Sequence, residues 1–181
     1  MPLQGTHNNG VTLAFPALAA GGTQTVSGTL TFGMDTQANN ASGSDTKLVI
    51  SGPATVKASY GDRSLQAILD TGSGAYYFPD STIAMCPASF SSQAYYCPSQ
   101  KLTRTATLQG KSGNAQAIQF DILNASVELA NNLPAHGGIG VNVDLFEAGV
   151  LDLGMPFFYG RTVTFGIQRD DGEPAYFAFR S

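Results

Sequence analysis

The residues whose types and spacing best suit chemistry are Asp70-Thr71-Gly72-Ser73-Gly74. A carboxylate on a glycine-flanked turn has a specific use, because backbone N–H groups can reach its oxygens and a neighbouring hydroxyl can fix its orientation. A carboxyl held in this way can take a proton from a bound water or give one to a substrate oxygen. Asp, Gly and Ser also build ordinary turns, so these five residues alone admit both readings. Tyr76 and Tyr77, just downstream, either line a substrate subsite or pack as strand aromatics. Other candidates fail on spacing. Gly110-Lys111-Ser112 lacks the earlier glycine of a phosphate loop and sits in a hairpin. No Gly-x-Ser-x-Gly elbow occurs. His7 and His136 fall in separate loops without ligand spacing, so neither a metal nor a cofactor is expected.

A reactive loop needs a rigid frame, and the pattern around it is that of strands. Residues 65–69 form an apolar run ending at Asp70, preceded by turn chemistry at 60–64 that pairs it as a hairpin with a strand at 55–60. A strand resumes at 76–78, and Asp80 or Ser81 is placed to cap a short helical turn through residue 85. Residues 24–34 alternate, with Val26, Leu30 and Phe32 on the side expected to be buried. Further strands are expected at 48–50, 102–108, 115–123, 150–153, 162–167 and 175–179, with turns at 110–114 and 170–172. The hairpin tip at 109–116 reads as an exposed turn, with a substrate flap as the alternative. A short helix or turn is expected at 154–160, and 131–143 reads as irregular. Asp152 alternates with Leu151 and Leu153, so it is expected to face away from the side they bury, as a solvated or hydrogen-bonded strand residue. The class is all-β with one or two short helices. Residues 1–22 are expected to hold a linker and the first strand, and 23–181 a single lobe.

Composition narrows the partners. The chain has 181 residues, the size of one domain, and 43% are hydrophobic, enough for a real core. Only 12% are charged, so solubility rests on Ser, Thr, Asn, Gln and Gly, as in many secreted β proteins. The net charge is -4 and the nine Lys and Arg are scattered, which excludes a nucleic-acid footprint. Residues 11–20 have the look of a signal h-region, but no basic residue precedes them and Pro16 interrupts them, so they read as a strand and turn; if the parent protein is exported, its signal is expected upstream of Met1. No apolar run approaches the length needed to span a bilayer. Cys86 and Cys97 flank a loop rich in Ser, Pro and Tyr, where a disulfide and an oxidising compartment are the natural reading and two free thiols the alternative.

Three longer segments carry a resemblance. AILDTGSGAYYFPDSTI, around Asp70, resembles the active-site segment of pepsin-like and retropepsin-like aspartic peptidases. GTLTFGMD resembles the strand before the second catalytic segment of pepsins, and VLDLGMPFFYGRTVTFGI resembles their apolar-apolar-Gly element with the helix and strand that follow. Together these span about three quarters of the chain. Thr36-Gln37-Ala38-Asn39-Asn40, Tyr77-Phe78-Pro79-Asp80 and Gly154-Met155-Pro156-Phe157-Phe158-Tyr159-Gly160-Arg161 further resemble the second lobe of an uncharacterised bacterial family of exported two-lobed proteins.

The resemblance implies a pepsin-like half-barrel lobe in which Asp70 is one of two aspartates sharing a proton, acting on polypeptide without metal or covalent intermediate. It implies that Gly72 offers its N–H to Asp70, that Ser73 hydrogen-bonds its outer oxygen, and that Thr71 reaches toward a partner lobe. Only one such motif is present where the chemistry needs two. The second carboxylate is therefore expected from another lobe of the same parent chain or from a homodimer partner. The alternative is an inactive binding or structural module of the bacterial envelope. A periplasmic or secreted location follows from the same resemblance.

Overall fold

The computed structural model describes residues 8–19, 21–41, 43, 45–91, 93–143, 149–170 and 172–181. Residues 1–7, with His7 and the start of the expected linker, and Asp171 of the expected 170–172 turn lie outside the described residues. Among the described residues the chain is mainly β, with two sheets and two short α-helices. Five strands, β1 (Gly10–Ala14), β2 (Thr29–Phe32), β3 (Leu48–Val49), β11 (Thr162–Gly166) and β12 (Tyr176–Arg180), form one sheet in the order β2-β1-β11-β12-β3. The other contains β4 (Val56–Tyr60), β5 (Arg63–Leu69), β6 (Tyr76–Tyr77), β7 (Leu102–Gln109), β8 (Ala115–Ile122), β9 (Gly140–Val141) and β10 (Val150–Leu153), in the order β8-β7-β4-β5-β10-β6-β9. The second sheet curls into a barrel-like shape. β1 lies between β2 and β11, so from Gly10 onward the chain belongs to the folded body rather than to a linker.

Alternation determines most of this. In β4, Val56, Ala58 and Tyr60 point into the core while Lys57 and Ser59 face out, and in β5 Leu65, Ala67 and Leu69 do the same. Gly61, at φ 58°, makes the tight turn that joins them. One core takes residues from both sheets, among them Leu69, Phe78, Leu108, Leu151, Leu153, Phe157, Phe158, Val163 and Phe177. Helix α2 (Met155–Phe158) follows β10 directly and buries Pro156, Phe157 and Phe158. Arg161 fastens it, donating to the Phe157 carbonyl at 2.7 Å and to the Gln119 carbonyl on β8 at 2.9 Å.

Several expectations need correction. The alternation of residues 24–34 is present, but only Thr29–Phe32 form a strand, and its apolar side chains face outward: Leu30 is 53% and Phe32 48% exposed. Period shows which residues share a side; the sheet's packing decides which side is covered. Residues 81–85 form turns and a bridge rather than a helix. The hairpin tip between β7 and β8 is tied to β3 through Lys111 N–H donating to the Val49 carbonyl at 2.8 Å, so it is docked rather than poised as a flap. Helix α1 (Ala125–Glu128), to which the sequence pattern assigned no element, is capped by Asn124, whose side chain accepts from Ser126 N–H at 3.1 Å. The Cys86–Cys97 disulfide is formed, closing a loop whose ends also pair through Cys86 N–H to Tyr95 and Cys97 N–H to Ala84. Among the described residues no helix is long and apolar enough to cross a membrane.

Candidate functional site

Asp70 follows the last residue of β5, where that strand runs parallel to β10 with Leu69 opposite Leu153. The loop it opens is fixed at both ends to β10 and the residues after it. Asp70 N–H donates to the Leu153 carbonyl at 3.1 Å, and Met155 N–H donates to the Ser73 carbonyl at 2.7 Å. Gly154 makes this approach possible, because a Cβ there would lie 2.1 Å from the Ala75 carbonyl oxygen and 2.5 Å from that of Ser73. The loop is therefore held against the strand by backbone contacts that any side chain at 154 would prevent.

Within it, Gly72 N–H donates to Asp70 Oδ1 at 2.7 Å and Ser73 Oγ lies 2.8 Å from Asp70 Oδ2. Each carboxylate oxygen thus has one partner, and the group is oriented by its own turn. Thr71, Gly72 and Gly74 are exposed, while Asp70 and Ser73 are half-buried, so the carboxyl sits at the rim of the barrel.

The same Ser73 Oγ lies 2.8 Å from Asp152 Oδ2. This bears out the hydrogen-bonded reading of Asp152 and corrects the solvated one. The residue is 6% exposed, and its Oδ1 is buried with no hydrogen-bond partner among the described residues. Alternation assumes one solvated face, but all four residues of β10 are buried, since the strand lies between β5 and β6 and both of its faces are covered. Burial pushes the Asp152 carboxyl up to about 6; the Ser73 hydrogen bond works against that rise and the charge of Asp70 adds to it. A polar residue inside the apolar run VLDLG was the available signal.

The two tyrosines separate. Tyr76 is a core residue at 1% exposure, with its ring 5.0 Å from that of Phe120, and it lines a cavity together with Phe120, Tyr159 and Arg161. Tyr77 is half-buried and sits opposite Asp152 in the β6–β10 register. Burial raises its hydroxyl, and Tyr95, Asp152 and Asp70 raise it further.

A second carboxylate cluster was not legible in the sequence. Asp80, read there only as a cap, is buried and accepts from Thr82 N–H at 2.9 Å and Thr82 Oγ at 2.6 Å through Oδ1. Its Oδ2 accepts from the Tyr60 hydroxyl and from Arg104 Nε at 3.3 Å. Burial would raise this carboxyl, but the hydrogen bonds from Thr82 and Tyr60 and the charge of Arg104 outweigh it and hold it below its ordinary value. His136 donates to or accepts from no metal-binding set: among the described residues no group of three or more His, Cys, Asp or Glu converges on a common point.

The model of one protein family, described as "Protein of unknown function (DUF3443)", matches residues 2–179. No curated protein matches the chain.

Proposed function

We propose that this chain, which belongs to the DUF3443 family, is one lobe of an aspartic peptidase and supplies Asp70 as one of its two catalytic carboxylates. The observation that carries this reading is the Asp70 carboxyl itself. It is gripped by Gly72 N–H and the Ser73 hydroxyl on a loop pinned to β10, with an exposed rim beside it. Asp152 is not assigned as the second catalytic group, because it is buried at 6% exposure and joined to Asp70 through the Ser73 hydroxyl.

The partner carboxylate comes from a second lobe of the parent protein or from a second copy of the chain. A water held between the two is deprotonated by the ionised member and attacks the peptide carbonyl, whose oxygen takes a proton from the other member. Two like charges in contact do not both ionise readily, so the pair works at acidic pH. Edge strand β2, with Leu30 and Phe32 exposed, supports an added partner. The disulfide supports an oxidising compartment, the periplasm or the exterior of the cell.

The test is cleavage of casein and of a peptide library from pH 3 to pH 7 by the protein with both lobes present, beside its Asp70→Asn variant. Cleavage at acidic pH that the variant lacks is the expected result. If the intact protein cleaves nothing, or the variant cleaves equally well, the peptidase reading fails and a binding or structural module of the envelope stands in its place.

A further inference from the structure

Ser73 Oγ stands 2.8 Å from Asp70 Oδ2 and 2.8 Å from Asp152 Oδ2, both hydrogen-bonding distances. A hydroxyl has one hydrogen and can donate it to only one of them. A contact between its oxygen and the second carboxyl is favourable only when that carboxyl brings a hydrogen of its own. Otherwise two lone-pair-bearing oxygens face each other in a buried setting, beside an Oδ1 that has no partner either. The count of hydrogens therefore requires a proton on one of the two aspartates.

We infer that Asp152 is a positioning residue for Asp70: its protonated carboxyl donates to Ser73 Oγ, which in turn commits its single hydrogen to Asp70 Oδ2. The order of the chain follows from the surroundings of its two ends. Asp70 already receives an N–H from Gly72 and borders exposed residues. Asp152 is 6% exposed between β5 and β6. Its register neighbour on β5 is Ile68, and on β6 it is Tyr77, with Tyr95 beyond. The charge acting on it is the negative one of Asp70. These surroundings favour the neutral acid. A Ser73 hydroxyl already committed to Asp70 no longer holds the Asp152 carboxyl down, so the shift toward protonation is reinforced.

The resemblance calls for two apolar residues before Gly154, and Asp152 occupies the first of those places. A leucine there would leave Ser73 Oγ without a donor and free to swing its hydrogen elsewhere. With Asp152 protonated, the hydroxyl has one arrangement only, and the outer oxygen of Asp70 keeps its hydrogen bond. When Asp152 ionises, two carboxylates compete for one hydrogen and Asp70 loses part of its support.

The inference concerns the same loop as the proposed peptidase reaction, yet its test needs no substrate. The carboxyl carbons of Asp70 and Asp152 are followed by NMR from pH 2 to pH 9 in the full chain, in Asp152→Asn and in Ser73→Ala. In the unaltered chain Asp152 titrates near pH 6, and the Asp70 signal reports that step as an inflection at the same pH. In Asp152→Asn, whose amide still donates to Ser73, the inflection in the Asp70 curve near pH 6 is lost. In Ser73→Ala the Asp152 midpoint falls, because the acid form loses the acceptor of its proton. An Asp152 midpoint at an ordinary carboxyl pH overturns the inference, as does an Asp70 curve of the same shape with Asn at 152, or a rise in the midpoint in Ser73→Ala. A protein that cleaves nothing but shows the coupled titration loses the peptidase reading and keeps this one.

Discussion

Asp80 and the Asp70–Asp152 pair lie beside neighbouring strands of one sheet, and the fold treats their charges in opposite ways. Asp80 has four donors on its two oxygens, from Thr82 backbone and hydroxyl, Tyr60 and Arg104. Its hydrogen-bonding capacity is filled, a cation stands beside it, and the ionised form is held below its ordinary pKa. Asp70 and Asp152 together share one hydroxyl and one backbone N–H, and one oxygen of Asp152 has no partner among the described residues. A carboxylate surrounded by donors is fixed in charge and place, and serves the fold. Two acids that share one hydroxyl cannot both be satisfied as carboxylates, so the buried Asp152 keeps a proton and Asp70 keeps the hydroxyl's hydrogen. Loss of Asp80 should therefore be read first in stability and, on the proposed peptidase reading, loss of Asp70 first in activity.

The largest expected effect is on the second cluster. On the proposed peptidase reading, Asp70→Asn should lower peptide cleavage about a thousand-fold, with little change in melting temperature, because the half-buried amide can still accept from Gly72 N–H through its oxygen while its nitrogen donates to the Ser73 hydroxyl oxygen. A loss of stability as large as the loss of activity would move Asp70 into the structural class. The converse is expected for Asp80→Ala. It leaves the buried Tyr60 hydroxyl without its partner and the part-buried Arg104 with Thr82 alone, and should cost about 3 kcal/mol, read as a lower midpoint in urea, with the remaining folded protein keeping its specific activity.

Asp152→Asn sharpens the comparison by pH. Because the folded Asp152 carboxyl is raised to about 6 from an ordinary 3.8, the folded state holds a proton that the unfolded chain releases. The favourable contribution of that proton is complete below about pH 4. It is lost as pH rises through about 6. The asparagine variant should therefore match the unaltered chain near pH 3.5 and exceed it at pH 7 by up to about 3 kcal/mol. Thermal melts at the two pH values measure the difference; equal gaps at both would remove Asp152 from the group of raised acids. Asp80 acts with the opposite sign, since a lowered carboxyl stabilises above its ordinary pKa and that support is lost as pH falls through the folded value.

The sequence made one half of this comparison visible and hid the other for physical reasons. Asp70, Gly72 and Ser73 act within a single turn, so their spacing in the chain is also their spacing in space. The β4–β5 hairpin is legible for the same reason, since Gly61 and the alternation on either side are local. Asp152 reaches Ser73 across 79 positions, through a parallel pairing of β5 and β10 that no local pattern encodes. Its alternation with Leu151 and Leu153 was read correctly as geometry, but a strand covered on both faces has no solvated side. Leu30 and Phe32 show the reverse error, an apolar alternation whose apolar side is uncovered. Asp80 gathers Tyr60 and Arg104 from β4 and β7, 20 and 24 positions away, so only its local bonds to Thr82 were within reach of a reading by turn chemistry. The disulfide was legible because its loop is short and its ends are the only two cysteines.

The smallest effect probes how evenly Asp80's support is shared. Tyr60→Phe removes one hydroxyl donor to Oδ2 but keeps the ring that packs 5.4 Å from Phe78 and 6.2 Å from Phe120. Arg104 Nε and both Thr82 donors remain, so the loss should be about 1.5 kcal/mol, at the low end for a hydrogen bond to a charged group. The pH dependence carries the sharper signature. With one donor fewer, the folded Asp80 carboxyl moves back toward 3.8, so less stability is lost below that pH and the acid limb of the stability curve should level off at a higher pH than in the unaltered chain. Urea midpoints between pH 2.5 and pH 5 measure that displacement. An acid limb that stays in place while the midpoint at pH 5 falls would mean that Tyr60 supports the fold through its ring and not through Asp80, and the contrast between a donor-rich and a donor-poor carboxylate would then rest on Thr82 and Arg104 alone.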